Sequence, residues 1–159
     1  VEVPLFVTWY INGEDLRGCI GTFAKEPLAK NLPEFAYYSA FKDNRFSPIT
    51  LKEIKDLNCS VSLLTNFEYA DHALDWTVGV HGINISFKDS RRRSYSATFL
   101  PEVAAEEGWT KETTLKYLVE KAGYNGKLSE VIQHITLERY QSSKISLDYK
   151  EYVEMRQRQ

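Results

Sequence analysis

The dipeptide Asn12-Gly13, set between two runs of strand-forming residues, constrains this chain more than any other feature. Residues 5–11 are rich in β-branched and aromatic side chains, and residues 16–23 return as a second such run. Asn-Gly tolerates the positive φ angles of a tight hairpin turn, so the two runs are expected to pair antiparallel. The pattern recurs later. Ile83, Ile85 and Phe87 alternate with Asn84, Ser86 and Lys88, which marks a half-buried strand. Arg91-Arg92-Arg93 tips a hairpin, and Tyr95, Ala97 and Phe99 alternate on the way back. Residues 59–64 read as a buried strand, 66–76 as less regular, and 135–140 and 144–147 as further β structure. The polar tail from Lys150 is expected to fray.

Helical patterns lie between these pairs. Residues 27–42 place Leu32, Phe35, Ala36, Ser39 and Ala40 at helical spacing, which predicts an inner face. Residues 43–48 form a loop, and Thr50 with Glu53 three residues on predicts a capping box. Residues 101–107 read as a short helix stopped by Gly108. Thr110 caps a longer one whose stripe is Leu115, Leu118, Val119 and Ala122, and Gly123 ends it. A helical turn is expected near residues 129–132. Antiparallel pairs with helices between them argue an α+β fold, a mostly antiparallel sheet with inserted helices, in one domain over residues 1–159.

Charge excludes some functions. Twenty Lys plus Arg stand against 22 Asp plus Glu, a formal charge of -2, which opposes long-range attraction to nucleic acid or anionic lipid. No apolar run reaches the roughly 18 residues that cross a bilayer. Two cysteines are too few for a disulfide scaffold, so an intracellular site, cytoplasmic or nuclear, is expected. No His or Cys pair stands at metal-ligand spacing, so no metal site is expected, and no pattern names a cofactor. Val1-Glu2-Val3-Pro4 leads straight into a strand without an initiator Met, so a preceding segment is expected.

The segment Leu16-Arg17-Gly18-Cys19-Ile20-Gly21 breaks the rules for a strand. Two glycines weaken it unless the backbone needs a bulge, a positive φ or a close approach. Arg17 and Cys19 are two apart and share a face of regular strand, where a cation favours the thiolate. Backbone N–H groups around Gly18 and Gly21 suit an anion. The competing reading is a buried Cys in a glycine-bulged strand. His81, at a turn before a strand, is the candidate base for Cys19, against a turn histidine bonded locally. Asp43 and Arg45 flank a helix end, where they pair with each other or line a ligand cleft.

The segment Leu16-Arg17-Gly18-Cys19-Ile20-Gly21-Thr22-Phe23 resembles the hallmark motif of the AMMECR family. The likeness extends through Pro4-Leu5-Phe6-Val7-Thr8-Trp9, Asp43-Asn44-Arg45-Phe46, Leu74-Asp75-Trp76, Val78-Gly79-Val80-His81-Gly82-Ile83 and Leu100-Pro101-Glu102-Val103-Ala104, and several blocks look eukaryotic. The resemblance implies an α+β fold of two unequal lobes around a cleft that holds the hallmark motif. It supplies no established reaction. Two functions compete on these grounds. One is an enzyme that uses Cys19, with His81 as base and Arg17, Gly18, Gly21, Asp43 and Arg45 around the ligand. The other is a non-catalytic adaptor or ligand-binding domain whose partner is a protein or small molecule. Nucleic-acid binding ranks below both on charge, and no membrane association is expected.

Overall fold

The computed structural model describes residues Val1–Gln159. Asn12 and Gly13 take φ of 52° and 96° and reverse the chain between β1 (Leu5–Ile11) and β2 (Asp15–Thr22), which pair antiparallel as their turn chemistry predicts. The other strands are β3 (Leu57–Tyr69), β4 (Gly82–Lys88), β5 (Ser94–Phe99) and β6 (Thr136–Asp148). One six-stranded sheet runs in the order β2-β1-β3-β6-β4-β5. β1 pairs antiparallel with β2 and β3, and β4 with β5 and β6. The fold is α+β with an antiparallel sheet, as the alternation of hairpins and helices implies.

The chain forms two compact units. The first joins Val1–Leu64 to Ser143–Gln159. Leu5 and Val7 are fully buried on one face of β1. Helix α1 (Leu28–Phe41) covers that face, where the Trp9 indole donates to the Ala36 carbonyl at 3.1 Å. Its buried residues Ser39 and Ala40 fall on the expected inner face, joined by Asn31. Thr50 starts a 3₁₀ helix (Leu51–Asp56), with its N–H and hydroxyl 2.7 and 3.1 Å from Glu53 Oε2.

Three expectations about elements need correction. β3 does not stop at residue 64 but continues to Tyr69, through Asn66 at φ 56°. β6 is one strand where two were expected, because the polar run Gln141-Ser142-Ser143 reads as a break while its backbone stays extended. The tail does not fray from Lys150. Helix α5 (Tyr149–Gln157) begins there, capped by Asp148, which accepts the Glu151 N–H at 2.8 Å while Glu151 Oε1 accepts the Asp148 N–H at 3.3 Å.

The second unit is Thr65–Ser142. Ile83, Ile85 and Phe87 of β4 pack with Leu137, Trp76 and helix α3 residues Leu115, Leu118 and Val119 in its core. Helix α2 (Pro101–Glu107) ends at Gly108, at φ 69°. Thr110 Oγ1 accepts the Thr113 N–H at 3.2 Å and opens α3 (Lys111–Lys121); α4 (Leu128–Val131) follows. No helix is long and apolar enough to cross a membrane.

Candidate functional site

Residues 16–21 lie on β2, an edge strand, and their two glycines serve packing inside the first unit. A Cβ on Gly18 would sit 2.0 Å from the Ser39 carbonyl oxygen of α1. A Cβ on Gly21 would sit 2.3 Å from the Leu5 carbonyl oxygen and 2.5 Å from the Phe6 ring. Neither glycine has a positive φ. Close approach is therefore what they permit, and the approaching groups are the protein's own.

A bulge sits beside Gly18. The pairing passes from Tyr10↔Leu16 to Trp9↔Gly18, which leaves Arg17 as the extra residue. It breaks the alternation that would have put Arg17 and Cys19 on one regular face. It also resets the partner of Cys19. Counted outward from Ile11↔Asp15 without a bulge, Thr8 would face Gly18; with it, Thr8 faces Cys19 and its hydroxyl lies 3.2 Å from Sγ. Trp9 and Gly18 share the face under α1, while Phe6, Thr8, Cys19 and Gly21 occupy the other. Cys19 is half-buried there and unpaired to Cys59.

The backbone of Cys19 points out of the sheet edge and is sealed by the loop after α1. Asp43 Oδ2 accepts its N–H at 3.0 Å, and Arg45 Nη2 donates to its carbonyl at 3.3 Å. Asp43 and Arg45 are also bonded to each other, Nη2 to Oδ2 at 2.8 Å and Nε to Oδ1 at 3.1 Å. The Arg45 hydrogen bonds, with the Cys19 N–H, hold the Asp43 carboxyl well below the usual carboxylate range, and Asp43 in turn raises Arg45. Asp43 is 9% exposed, so its partners replace water on a buried charge. This arrangement satisfies edge groups that would otherwise invite another strand.

Arg17 is a strut. Its Nε and Nη2 donate to Glu53 Oε1 and Oε2 at 2.7 and 3.2 Å, and its Nη1 donates to the Ser47 carbonyl at 2.7 Å. The Arg17 hydrogen bonds, then the Thr50 N–H, pull the Glu53 carboxyl down to about 2. Glu53 is the residue that sequence reasoning placed but undervalued, because a capping box explains it without Arg17. Ser47 and Thr8 carried no local signal, and helical spacing placed Ser39 only on the inner face of α1.

Thus Arg17, Gly18, Cys19, Gly21, Asp43 and Arg45 meet within the first unit. His81 belongs to the second. Its Nδ1 accepts the Thr77 N–H at 3.0 Å, so the neutral ring carries its proton on Nε2. Burial lowers its pKa, and Arg139 lowers it further. The ring is thus the locally bonded turn histidine, with its basic nitrogen occupied. Nearby Arg139 pairs with Glu68 at 3.5 Å and Asp75 at 3.2 Å. No group of three or more His, Cys, Asp or Glu side chains is placed to hold a metal ion.

The chain matches known proteins over most of its length. A family model described as AMMECR1 matches residues 1–145. The chain belongs to the AMMECR1 family. It is 49% identical to an uncharacterized protein of Arabidopsis thaliana over 156 residues, covering 94% of this chain and 73% of that protein. It is 47% identical to an uncharacterized protein of Schizosaccharomyces pombe over 155 residues, covering 96% and 79%. The crystal structure of an uncharacterized protein from Pyrococcus horikoshii shares the fold, with TM-score 0.74, 28% identity, and coverage of 93% of this chain and 75% of that one. AMMECR1 relatives thus extend beyond eukaryotes, and the eukaryotic look of some blocks does not separate this chain from them. The function of this AMMECR1 domain is uncharacterised, as are those of the relatives named here.

Proposed function

We propose that this AMMECR1 domain is a non-catalytic binding domain that docks a protein partner through its first unit. The observation that carries this reading is the internal use of the groups a thiol reaction would need. Arg17 is bound to Glu53 and Ser47, the Cys19 backbone to Asp43 and Arg45, and His81 Nδ1 to Thr77. Gly18 and Gly21 leave no open space, since Ser39 and Phe6 fill it. Such a site is a built edge, and it holds α1 against the sheet. The outer face of α1 then presents Tyr37, Tyr38 and Phe41, which are 52%, 39% and 41% exposed. Their rings touch, Tyr37 to Phe41 at 5.0 Å and Tyr37 to Tyr38 at 6.2 Å. Contiguous exposed aromatic surface of this kind marks interaction sites, where Tyr supplies large area at low entropy cost.

A second reading keeps one observation in its favour. The Thr8 hydroxyl lies 3.2 Å from Cys19 Sγ, a donor placed on a half-buried thiol, as a nucleophile would need. Parallel affinity capture with wild type, Cys19→Ser and the pair Tyr37→Ala, Phe41→Ala separates the two. The partner set is expected to survive Cys19→Ser and to be lost with the aromatic pair, all three proteins melting alike. Loss with Cys19→Ser and retention with the aromatic pair would return the thiol reading.

A further inference from the structure

The sheet ends on two edge strands, β2 and β5. β2 is closed at Cys19, whose backbone is held by Asp43 and Arg45. At β5 the direction of the backbone groups follows from the turn before it. The Asp89 N–H donates to the Arg93 carbonyl at 3.0 Å, so that pair bonds across the hairpin. Bonded and unbonded pairs alternate along antiparallel strands. Tyr95, Ala97 and Phe99 therefore bond toward β4, while Ser94, Ser96 and Thr98 turn their N–H and C=O groups outward. Lys121 agrees with that direction, since its Nζ donates to the Thr98 carbonyl at 2.8 Å. The other outward groups of these three residues have no partner in the chain.

An open row of this kind is a template for a further strand. Tyr95, Ala97 and Phe99 pack against the core of the second unit and fix the strand in place. Ser94 and Ser96, on the opposite face, are small and exposed. Charge selects the occupant. Between residues 82 and 99, Lys88, Arg91, Arg92 and Arg93 stand against a single carboxylate, Asp89. Asp89 pairs with Arg93 at 3.2 Å, and Lys88, Arg91 and Arg92 are exposed and form no ion pair. Lys121 adds a cation at the other end, beside Thr98. Of the carboxylates outside the hairpin, Glu138 lies two strands in, opposite Asn84, and Glu130 accepts the Tyr124 hydroxyl at 2.7 Å. A second copy of β5 would set cations against cations in either direction, whereas an acidic strand would be matched at both ends.

We propose that the β5 edge binds an acidic peptide segment in extended conformation, added as a further strand on the outward backbone groups of Ser94, Ser96 and Thr98. Main-chain hydrogen bonds hold the added strand, and its carboxylates meet Lys88, Arg91 and Arg92 at one end and Lys121 at the other. This site lies in the second unit and is independent of the α1 surface and of Cys19.

A displayed library of random peptides of about eight residues, selected on the full chain at low salt, supplies the probe. Enriched peptides are expected to be rich in Asp and Glu, to contain β-branched residues and to lack Pro. A synthetic copy of the most enriched peptide should slow hydrogen exchange at the Ser94, Ser96 and Thr98 amides, read by NMR. Ser96→Pro removes one outward N–H and leaves the core face intact, a change that an edge strand accepts, and should weaken that peptide by at least about 10-fold. Lys88→Glu combined with Arg91→Glu reverses exposed charge outside β5 and should weaken it by at least about 5-fold, an effect that fades at high salt. This pair decides the matter even where Ser96→Pro melts below wild type. No enrichment, enrichment of basic peptides, protection confined to other amides, or undiminished binding to the charge-reversed protein would each overturn the proposal. A wild-type dimer in analytical ultracentrifugation that Ser96→Pro dissociates would put a second copy on the edge and overturn the acidic peptide.

Discussion

Replacing Glu53 by Gln keeps the side chain's shape and removes its charge, and the cost follows from the site. Glu53 lies under Arg17 with its carboxyl drawn down from 4.5 to about 2. Each pKa unit corresponds to about 1.4 kcal/mol, so the charged form is held by roughly 3 kcal/mol. The Glu53 side chain is 24% exposed and the Gln oxygen keeps part of the Thr50 hydrogen bonding, which reduces the expected loss to about 2 kcal/mol. In a chain of this size that lowers Tm by roughly 4–8 °C. The pH dependence has a definite direction. A carboxyl depressed in the folded state stabilises fully above its unfolded pKa and loses that contribution as pH falls through the folded value. The wild-type advantage should therefore be complete at neutral pH and fade between 4.5 and about 2. Thermal unfolding followed by circular dichroism, on both proteins across that range, checks it. Equal melting temperatures at neutral pH, or a gap that persists below the folded pKa, would refute the account of Arg17 as a strut.

Three further outcomes are expected. Gly18→Ala drives a methyl to 2.0 Å from the Ser39 carbonyl oxygen, a backbone atom that no rotamer change can move, and should cost at least ~3 kcal/mol in urea unfolding; a loss under ~1 kcal/mol would show that α1 yields easily. Burial pushes the Cys59 thiol up to about 11, so iodoacetamide at pH 8 should leave Cys59 unlabelled in the folded protein and label it after denaturation, as read by mass spectrometry. Nitrogen NMR of His81 should find the Nε2–H tautomer with a pKa below 6.5, lowered by burial and then by Arg139. Since the fold favours the neutral ring, His81 should also contribute stability at neutral pH that declines as pH drops through 6.5 toward the folded value.

Much of the architecture was legible because it is local. Asn12-Gly13 forces a reversal, Thr110 and Gly108 delimit helices, and the alternation around Ile85 sets a half-buried strand. Misreadings came where local polarity misleads. Gln141-Ser142-Ser143 is polar yet lies inside β6, because extended backbone does not depend on the polarity of its side chains. The Asp148–Glu151 box was legible in principle, since the two residues stand at capping spacing, but the charged tail after it masked the signal.

Residues 16–21 divide along the same line. The amino-acid sequence by itself determined that this short strand carries two glycines, a cation and a thiol, and that such a strand needs a special reason to exist. Only the tertiary structure decided the reason. The glycines admit Ser39 and Phe6, the bulge turns Arg17 toward Glu53, and Asp43 and Arg45 close the edge at Cys19. Each of those partners lies remote in sequence, by 24 residues for Asp43, 26 for Arg45 and 36 for Glu53. A pattern of spacing within one segment has no access to what the rest of the chain brings against it, and that packing is what closes the backbone of this sheet edge at Cys19.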